Sequence, residues 1–343
     1  MLKRDIREYH FRADAQTGLT MRWGKTLQDD PIWAPVPELA DISISNHCSK
    51  GCSYCYRKSV KNNELMPLEQ YERVLDALNH PKYGNVFQVA LGGGEPLEHP
   101  QFVQIIEATL KREIVPNFTT NGMFLTENIC KAIHRKIGAV ALSIMKVKEL
   151  EREKVAMLRK YDIRTNVHYV LSSMNIGEAI EIVSGKHNEV FEGVNAIIFL
   201  TYKPAGRGTE DGVLKAGDEM DRFVQKVNDY SNKVLKIGFD ACFVPNLLHK
   251  GFKHAEMVDV CEAGFFSVYV DHKMNVSPCS FSGGKDAYSL EEYDFYDIWE
   301  NKFADYRGRL QNKCKHVDCA VHAVCRGCCP YYPAITMCYG SRD

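Results

Sequence analysis

The sequence has no apolar run long enough to cross a bilayer. Its longest, such as "AIIFL", fall far short of the ~20 residues a spanning helix needs. The opening "MLKRDIREYHFRADAQTG" holds no apolar core of signal-peptide length, so a cytoplasmic protein is expected. An excess of one charge is missing too. Lys plus Arg number 43 against 44 Asp plus Glu, which leaves no electrostatic footprint for nucleic acid or an anionic membrane. No internal repeat or low-complexity segment stands out. With 45% hydrophobic and 25% charged residues the chain reads as ordinary globular protein, and 343 residues can bury a full core as one large domain or two.

Cysteine is the departure, with thirteen residues. A reducing cytosol argues against a disulfide framework, and the spacing is uneven: three near the front, Cys130 alone, then nine from Cys242 onward. Cys130 suits a small buried hydrophobe. The two dense clusters suit metal-binding or catalytic thiolates. In "ISNHCSKGCSYCYR", Cys48, Cys52 and Cys55 are spaced C-x3-C-x2-C, one thiolate short of a closed tetrahedral site. Two readings stand at this point. Zinc would take His47 as its fourth ligand. A [4Fe–4S] cluster would take three thiolates on three irons and leave the fourth iron open to a substrate or cofactor.

The rest of the chain alternates. After a lead of about 40 residues, read as a short strand or two with the link "DDPIWAPVPEL", come strands at "DISIS", "VFQVAL", "VPNFTTNG", "AVALSIM", "RTNVHYVL" and "AIIFLTYK". Amphipathic helices lie between them and after the last, around "DEMDRFVQKVNDYSNKV". Six strand-then-helix units predict parallel strands with right-handed crossovers, too few for a closed eight-stranded barrel. A partial (β/α)6 barrel would place the Cys loop, "GGGEP", "TTNG" and "YKPAGRG" together at the C-terminal strand ends. Beyond residue 240 a hairpin, "FFSVYVDHKMNVSPCSF", precedes a helix and a Cys-dense tail. The expected division is 1–40 lead, 41–240 barrel and 241–343 metal-stapled domain.

C-x3-C-x2-C after the first barrel strand, with the aromatic Tyr54 before the last Cys, resembles the radical S-adenosylmethionine (SAM) enzymes. The resemblance implies a partial barrel in which Cys48, Cys52 and Cys55 hold a cluster whose open iron binds SAM. An electron from the cluster then cleaves the cofactor to a 5′-deoxyadenosyl radical, which takes a substrate hydrogen. It implies that Gly93, Gly94 and Glu95 of "LGGGEP" hold the methionyl ammonium, and that Thr120, Asn121 and Ser143 lie near the ribose and carboxylate. Arg207 would face the cofactor or a substrate anion, or else be a solvated loop residue. The electron would come from a reduced flavodoxin- or ferredoxin-type donor.

The tail resembles the SPASM extension of the same family. Cys319, Cys325 and Cys329 match its x5 and x3 spacings, while Cys314 lies four rather than two residues before Cys319. Carried over, Cys242, Cys261, Cys279 and Cys329 would hold one auxiliary [4Fe–4S] cluster, with Cys242 or an open position as the fourth site. Cys314, Cys319, Cys325 and Cys338 would hold a second. Cys328 is left over, or exchanges with Cys329; structural zinc is the other reading of the tail. Asp240 is either a general base or a strand-end cap. Such enzymes often modify peptides, whereas the sulfatase-maturing group has an Asp where Ser280 follows Cys279. The expected substrate is therefore a ribosomal peptide undergoing crosslinking, oxidation or epimerisation. A small-molecule dehydrogenase or epimerase is the rival, and a non-catalytic iron–sulfur protein the reading of another class.

Overall fold

"DISIS" alternates branched and small residues, and its strand, β4 (Leu39–Ser45), lies deep inside a ten-stranded sheet. The structure, a computed structural model, describes residues 1–232, 234–311, 322 and 325–338. All six expected barrel strands form: β4, β5 (Gln88–Gly93), β6 (Val115–Thr120), β7 (Val140–Ile144), β8 (Thr165–Leu171) and β9 (Ala196–Thr201). They pair in parallel in chain order, and the intervening helices are α1 (Leu68–Ala77), α2 (Phe102–Leu110), α3 (Glu127–Ile133), α4 (Arg152–Lys160) and α5 (Ile176–Val183). After α6 (Asp218–Asn228) a seventh parallel strand, β10 (Lys236–Phe239), joins β9. The count of six units leaves this strand out, although the strand-end reading of Asp240 implies one. It is four residues long and contains Gly238, and its alternation is confined to Ile237 and Phe239.

Period-two alternation assigns the faces. In β8, Thr165, Val167, Tyr169 and Leu171 are buried, and the last three belong to the apolar core shared with the helices. Asn166, His168 and Val170 are half-buried on the opposite, inner face. Polar neighbours share that face: Thr119 Oγ1 lies 3.3 Å from His168 Nδ1, and Asn117 Nδ2 donates to Gln88 Oε1 at 3.2 Å. The barrel is thus greasy outside and polar within. Cys130 is fully buried in α3, as a small hydrophobe should be.

The sheet does not stop at residue 240. The hairpin β11 (Ser267–Val270) and β12 (Asn275–Ser277) turns at Met274 with φ +62°, and β11 pairs in parallel with β4 on the side away from β5. The short β13 (Tyr288–Ser289) completes the order β10-β9-β8-β7-β6-β5-β4-β11-β12-β13. The two halves therefore share one sheet and one core, in which Val268, Val270 and Trp299 join the barrel's Ile42 and Ile44. The helix after the hairpin runs through Phe295–Asp297, a π-turn at Ile298–Lys302, and Phe303–Gln311, with Asp294 capping its start.

The lead folds as a three-stranded antiparallel sheet, β1 (Leu2–Ile6), β2 (Tyr9–Ala13) and β3 (Thr20–Trp23), one strand more than expected. Tyr9 and Phe11 pack on Phe87, Phe265 and Phe266, so the lead bridges barrel and hairpin. Trp299 Nε1 donates to Ala34 O at 2.9 Å and pins the proline-rich link. No helix among the described residues is long and apolar enough to cross a membrane.

Candidate functional site

The Cys48–Cys55 loop leaves the end of β4 and is held from two sides. The β5 loop holds its start: Gly94 N donates to Ser45 O at 2.7 Å and Glu95 N to His47 O at 2.8 Å. His47 Nδ1 accepts from Asn62 N at 2.9 Å, which makes Nε2 the protonated nitrogen that donates to Glu98 at 2.9 Å. Both ring nitrogens are spent, so His47 has none left for a zinc ion. Burial would raise Glu98, but the donors from Ser49 and His47 outweigh it and hold its carboxylate low.

The β9 loop holds the other end. Arg207 N donates to Cys55 O at 3.0 Å, while its guanidinium donates to Cys52 O at 2.7 Å and Ser59 O at 3.0 Å. Gly206 sits at φ +65°, where a Cβ would lie 2.3 Å from Cys55 O. Arg207 is half-buried, and its Nε and Nη1 brace the carbonyls of the cysteine loop. Tyr54 is half-buried, and burial together with Cys52 raises its phenol.

Glu95 is 1% exposed, with its pKa raised by burial. Oε1 accepts from Thr120 Oγ1 at 2.6 Å and Leu97 N at 3.1 Å, and Oε2 accepts from Asn121 N at 2.8 Å. A carboxylate has about four lone-pair sites, so one remains for an incoming cation. Thr120 and Asn121 position this carboxylate, and Asn121 Nδ2 also reaches Cys48 Sγ at 3.9 Å. Gly93 and Gly94 are glycine for packing. A Cβ on Gly93 would meet Ser43 Oγ at 2.1 Å, and one on Gly94 would meet His47 O at 2.0 Å. Gly92, which the sequence reading passed over, has nothing within 4 Å of its Cβ position and is the open side of the run. Ser143 stands level with His168 on the inner face.

Among the described residues no group of three or more His, Cys, Asp or Glu is spaced for a single metal ion. A [4Fe–4S] cluster binds each thiolate to a different iron, so its ligands stand further apart than those of one ion. Three half-buried thiols, a carboxylate with a spare acceptor site and an open glycine backbone fit such a cluster and an ammonium-bearing cofactor.

A second set of thiols gathers behind β9. Cys242, Cys261, Cys279, Cys328 and Cys329 line one small cavity with Lys203. Burial raises the thiols of Cys242 and Cys261, and pushes Cys279 up to about 12. Cys329 is close enough to Cys261 and Cys279 for their charges to interact. Backbone N–H groups already point at sulfur, Phe281 N to Cys279 at 3.4 Å and Gly327 N to Cys325 at 3.3 Å. This set fits one auxiliary cluster as expected from the resemblance. Of the second set, Cys314 and Cys319 lie outside the described residues, and Cys325 and Cys338 are half-buried. Asp240 is a cap and a counter-ion: it accepts from Thr201 Oγ1 at 2.6 Å, Phe243 N at 3.1 Å and Lys203 Nζ at 3.3 Å. Lys203 itself was missed, although it opens the quoted "KPAGRG".

A cavity of about 830 Å³ runs along β10. Seven consecutive residues, 236–242, line it whichever way their side chains point, so it follows the strand's edge rather than a face. Lys236 N and Asp240 N bond back to β9, which turns the peptide groups of Ile237 and Phe239 to the free edge. Ser267 of β11 lies across the gap, and the deep end shares Cys242, Cys261 and Cys279 with the thiol cavity.

Residues 42–183 match the profile of the Radical SAM superfamily. The match runs from β4 through α5, and over that stretch the chain is similar to the superfamily. Such proteins use a [4Fe–4S] cluster and SAM, the groups the front site fits. Among curated relatives, the tungsten-containing aldehyde ferredoxin oxidoreductase cofactor-modifying protein of Pyrococcus furiosus is 27% identical over 27% of this chain and 26% of its own length. A probable GTP 3′,8-cyclase of Methanocaldococcus jannaschii is 34% identical over 27% and 30%, and the PqqA peptide cyclase of Gluconobacter oxydans 25% over 36% and 35%. The matched stretches thus span about a quarter to a third of these relatives. Two solved structures share the fold over most of this chain. Streptococcus suis SuiB bound to precursor peptide SuiA has TM-score 0.67 at 18% identity, covering 87% of this chain and 72% of its own. The enzyme anSMEcpe with bound AdoMet and Cp18Cys peptide has TM-score 0.63 at 20% identity, covering 85% and 89%.

Proposed function

We propose that this protein is a peptide-modifying radical SAM oxidoreductase. When bound at Cys48, Cys52 and Cys55, the cluster supplies the electron that turns SAM into a hydrogen-abstracting radical. Glu95 accepts the methionyl ammonium, held in place by Thr120, Asn121 and Leu97 N–H. Arg207 fixes the cysteine loop through the carbonyls of Cys52 and Ser59. The thiols of Cys242, Cys261, Cys279 and Cys329 would hold an auxiliary cluster, which would supply a one-electron acceptor beside the substrate. A reduced flavodoxin- or ferredoxin-type protein is the proposed donor.

The observation that carries a peptide substrate is the free edge of β10 along the 830 Å³ cavity. An unpaired strand edge recognises an extended backbone, and apolar walls (Phe239, Phe252, Met257, Val260) take alternate side chains. A peptide lying there would carry its residues to the thiol cavity. The barrel seam is therefore the proposed place of peptide recognition. SuiB and anSMEcpe, which have this fold, are each known with a peptide bound.

The test is turnover. Reconstituted, reduced protein with SAM and a short peptide encoded beside its gene should release 5′-deoxyadenosine and give a peptide of altered mass or stereochemistry. Release that answers only to sugars or cyclitols would replace the peptide reading with the small-molecule one. No 5′-deoxyadenosine with any candidate would favour a non-catalytic iron–sulfur protein.

A further inference from the structure

Lys203 is a lysine where lysine is costly. Its side chain is 2% exposed, and it begins the loop directly after β9, at the wall between the thiol cavity and the seam cavity. Nζ donates to Thr201 O at 3.2 Å and to Asp240 Oδ2 at 3.3 Å, and sits 4.2 Å from the centre of the Phe281 ring. The Asp240 carboxylate and the face of the Phe281 ring are partners for an ammonium, and Cys242 and Cys279 line the same cavity.

Asp240 would keep Thr201 Oγ1 and Phe243 N as donors without this charge. Ala241, Pro245 and Phe281 give the cavity apolar walls around it. What requires a positive charge here is the sulfur set. Thiolates on iron bring negative charge into a site of low dielectric, and reduction adds one more.

We propose that Lys203 is the fixed cation that sets the reduction potential of the auxiliary cluster held by Cys242, Cys261, Cys279 and Cys329. Its ammonium stabilises the reduced state, raises the potential and so makes the cluster a better electron acceptor. Asp240 opposes it and holds it in place. Lys203 is a positioning and tuning residue, since its effect passes through the sulfurs. The inference rests on the auxiliary-cluster reading of these cysteines.

The test uses the reconstituted full chain in a background where Cys48, Cys52 and Cys55 are alanine, so that only C-terminal clusters are titrated. The reduced fraction is followed by electron paramagnetic resonance against applied potential. Lys203→Met should lower one midpoint, cutting the reduced fraction at fixed potential by about tenfold or more, or about 59 mV for a one-electron couple. Lys203→Arg should keep it, and Asp240→Asn should raise it. Iron and sulfide content and melting temperature separate these effects from failed assembly. An unchanged midpoint in loaded Lys203→Met protein overturns the proposal. If that variant does not load, an unchanged midpoint in loaded Asp240→Asn protein overturns it instead. A background protein without iron and sulfide would instead defeat the auxiliary-cluster reading, and the proposal with it.

Discussion

Gly94→Ala tests how the two halves of the front site are joined. The added Cβ would stand 2.0 Å from His47 O, 2.7 Å from His47 C and 2.9 Å from His47 N, all backbone atoms. A carbon approaches a carbonyl oxygen to about 3.3 Å, so the β5 loop and the cysteine loop must part by about 1.3 Å. That separation breaks the bonds from Gly94 N to Ser45 O and from Glu95 N to His47 O. At about 0.5–1.5 kcal/mol each, the loss is about 1–3 kcal/mol, within what a domain's total stability of about 5–15 kcal/mol tolerates. The protein should fold, melt a few degrees lower and still retain iron at its C-terminal cysteines. Catalysis should suffer far more, because Glu95 and the cysteine loop no longer hold one geometry. A displacement of about 1 Å can cost on the order of 100-fold in rate. The assay is 5′-deoxyadenosine formed per minute by reduced, reconstituted variant, beside iron and sulfide counts. Wild-type cleavage by a folded, loaded Gly94→Ala protein would refute the steric argument and the role given to this contact.

Glu95→Gln should bind SAM at least tenfold more weakly by titration calorimetry. Its amide nitrogen confronts the Asn121 or Thr120 donor at a cost of about 1–3 kcal/mol and brings no charge to the ammonium. Arg207→Lys keeps the charge but cannot span Cys52 O and Ser59 O together, so iron at the front site should fall while C-terminal iron stays; equal loss at both sites would contradict the bracing role. His168 has its pKa lowered to about 4 by burial, so the folded state binds fewer protons than the unfolded one between about pH 4 and 6.5. Stability from this residue is lost as pH falls through that window, and thermal melts of His168→Gln should be less acid-sensitive there. A parallel pH dependence in both proteins would place the titration elsewhere.

Much of the barrel is legible because each strand carries its own signal. "RTNVHYVL" alternates, "AIIFL" is short and apolar, and each is followed by a helical period. β10 is hard to read, since "KIGF" has only two alternating apolar residues, Ile237 and Phe239, and a glycine between them. The joining of β11 to β4 is equally silent, because long-range pairing leaves no local trace. At the site, cysteine spacing and "GGGE" name the chemistry, but not the reason for each residue. Gly93 and Gly94 serve packing, Thr120 serves Glu95, and Arg207 serves carbonyls. Lys203 reads as a surface lysine until the fold brings Cys242 and Cys279 to it. What the sequence hides is which neighbour a polar group meets.

The pairing of β11 with β4 also dictates an order of assembly. Asp41 meets Tyr269 across more than two hundred residues of chain, a closure that is slow to find and late to form. The front cysteine loop takes its braces from residues up to Arg207, but Tyr56 and Arg57 at its end also meet Phe281 and Tyr269 of the C-terminal half. Both sites therefore reach their final packing only once the hairpin has paired. A chain cut at residue 240 would leave β4 with an unpaired edge, so the barrel half is a poor fragment to express alone and a likeness of it would be prone to edge-to-edge aggregation.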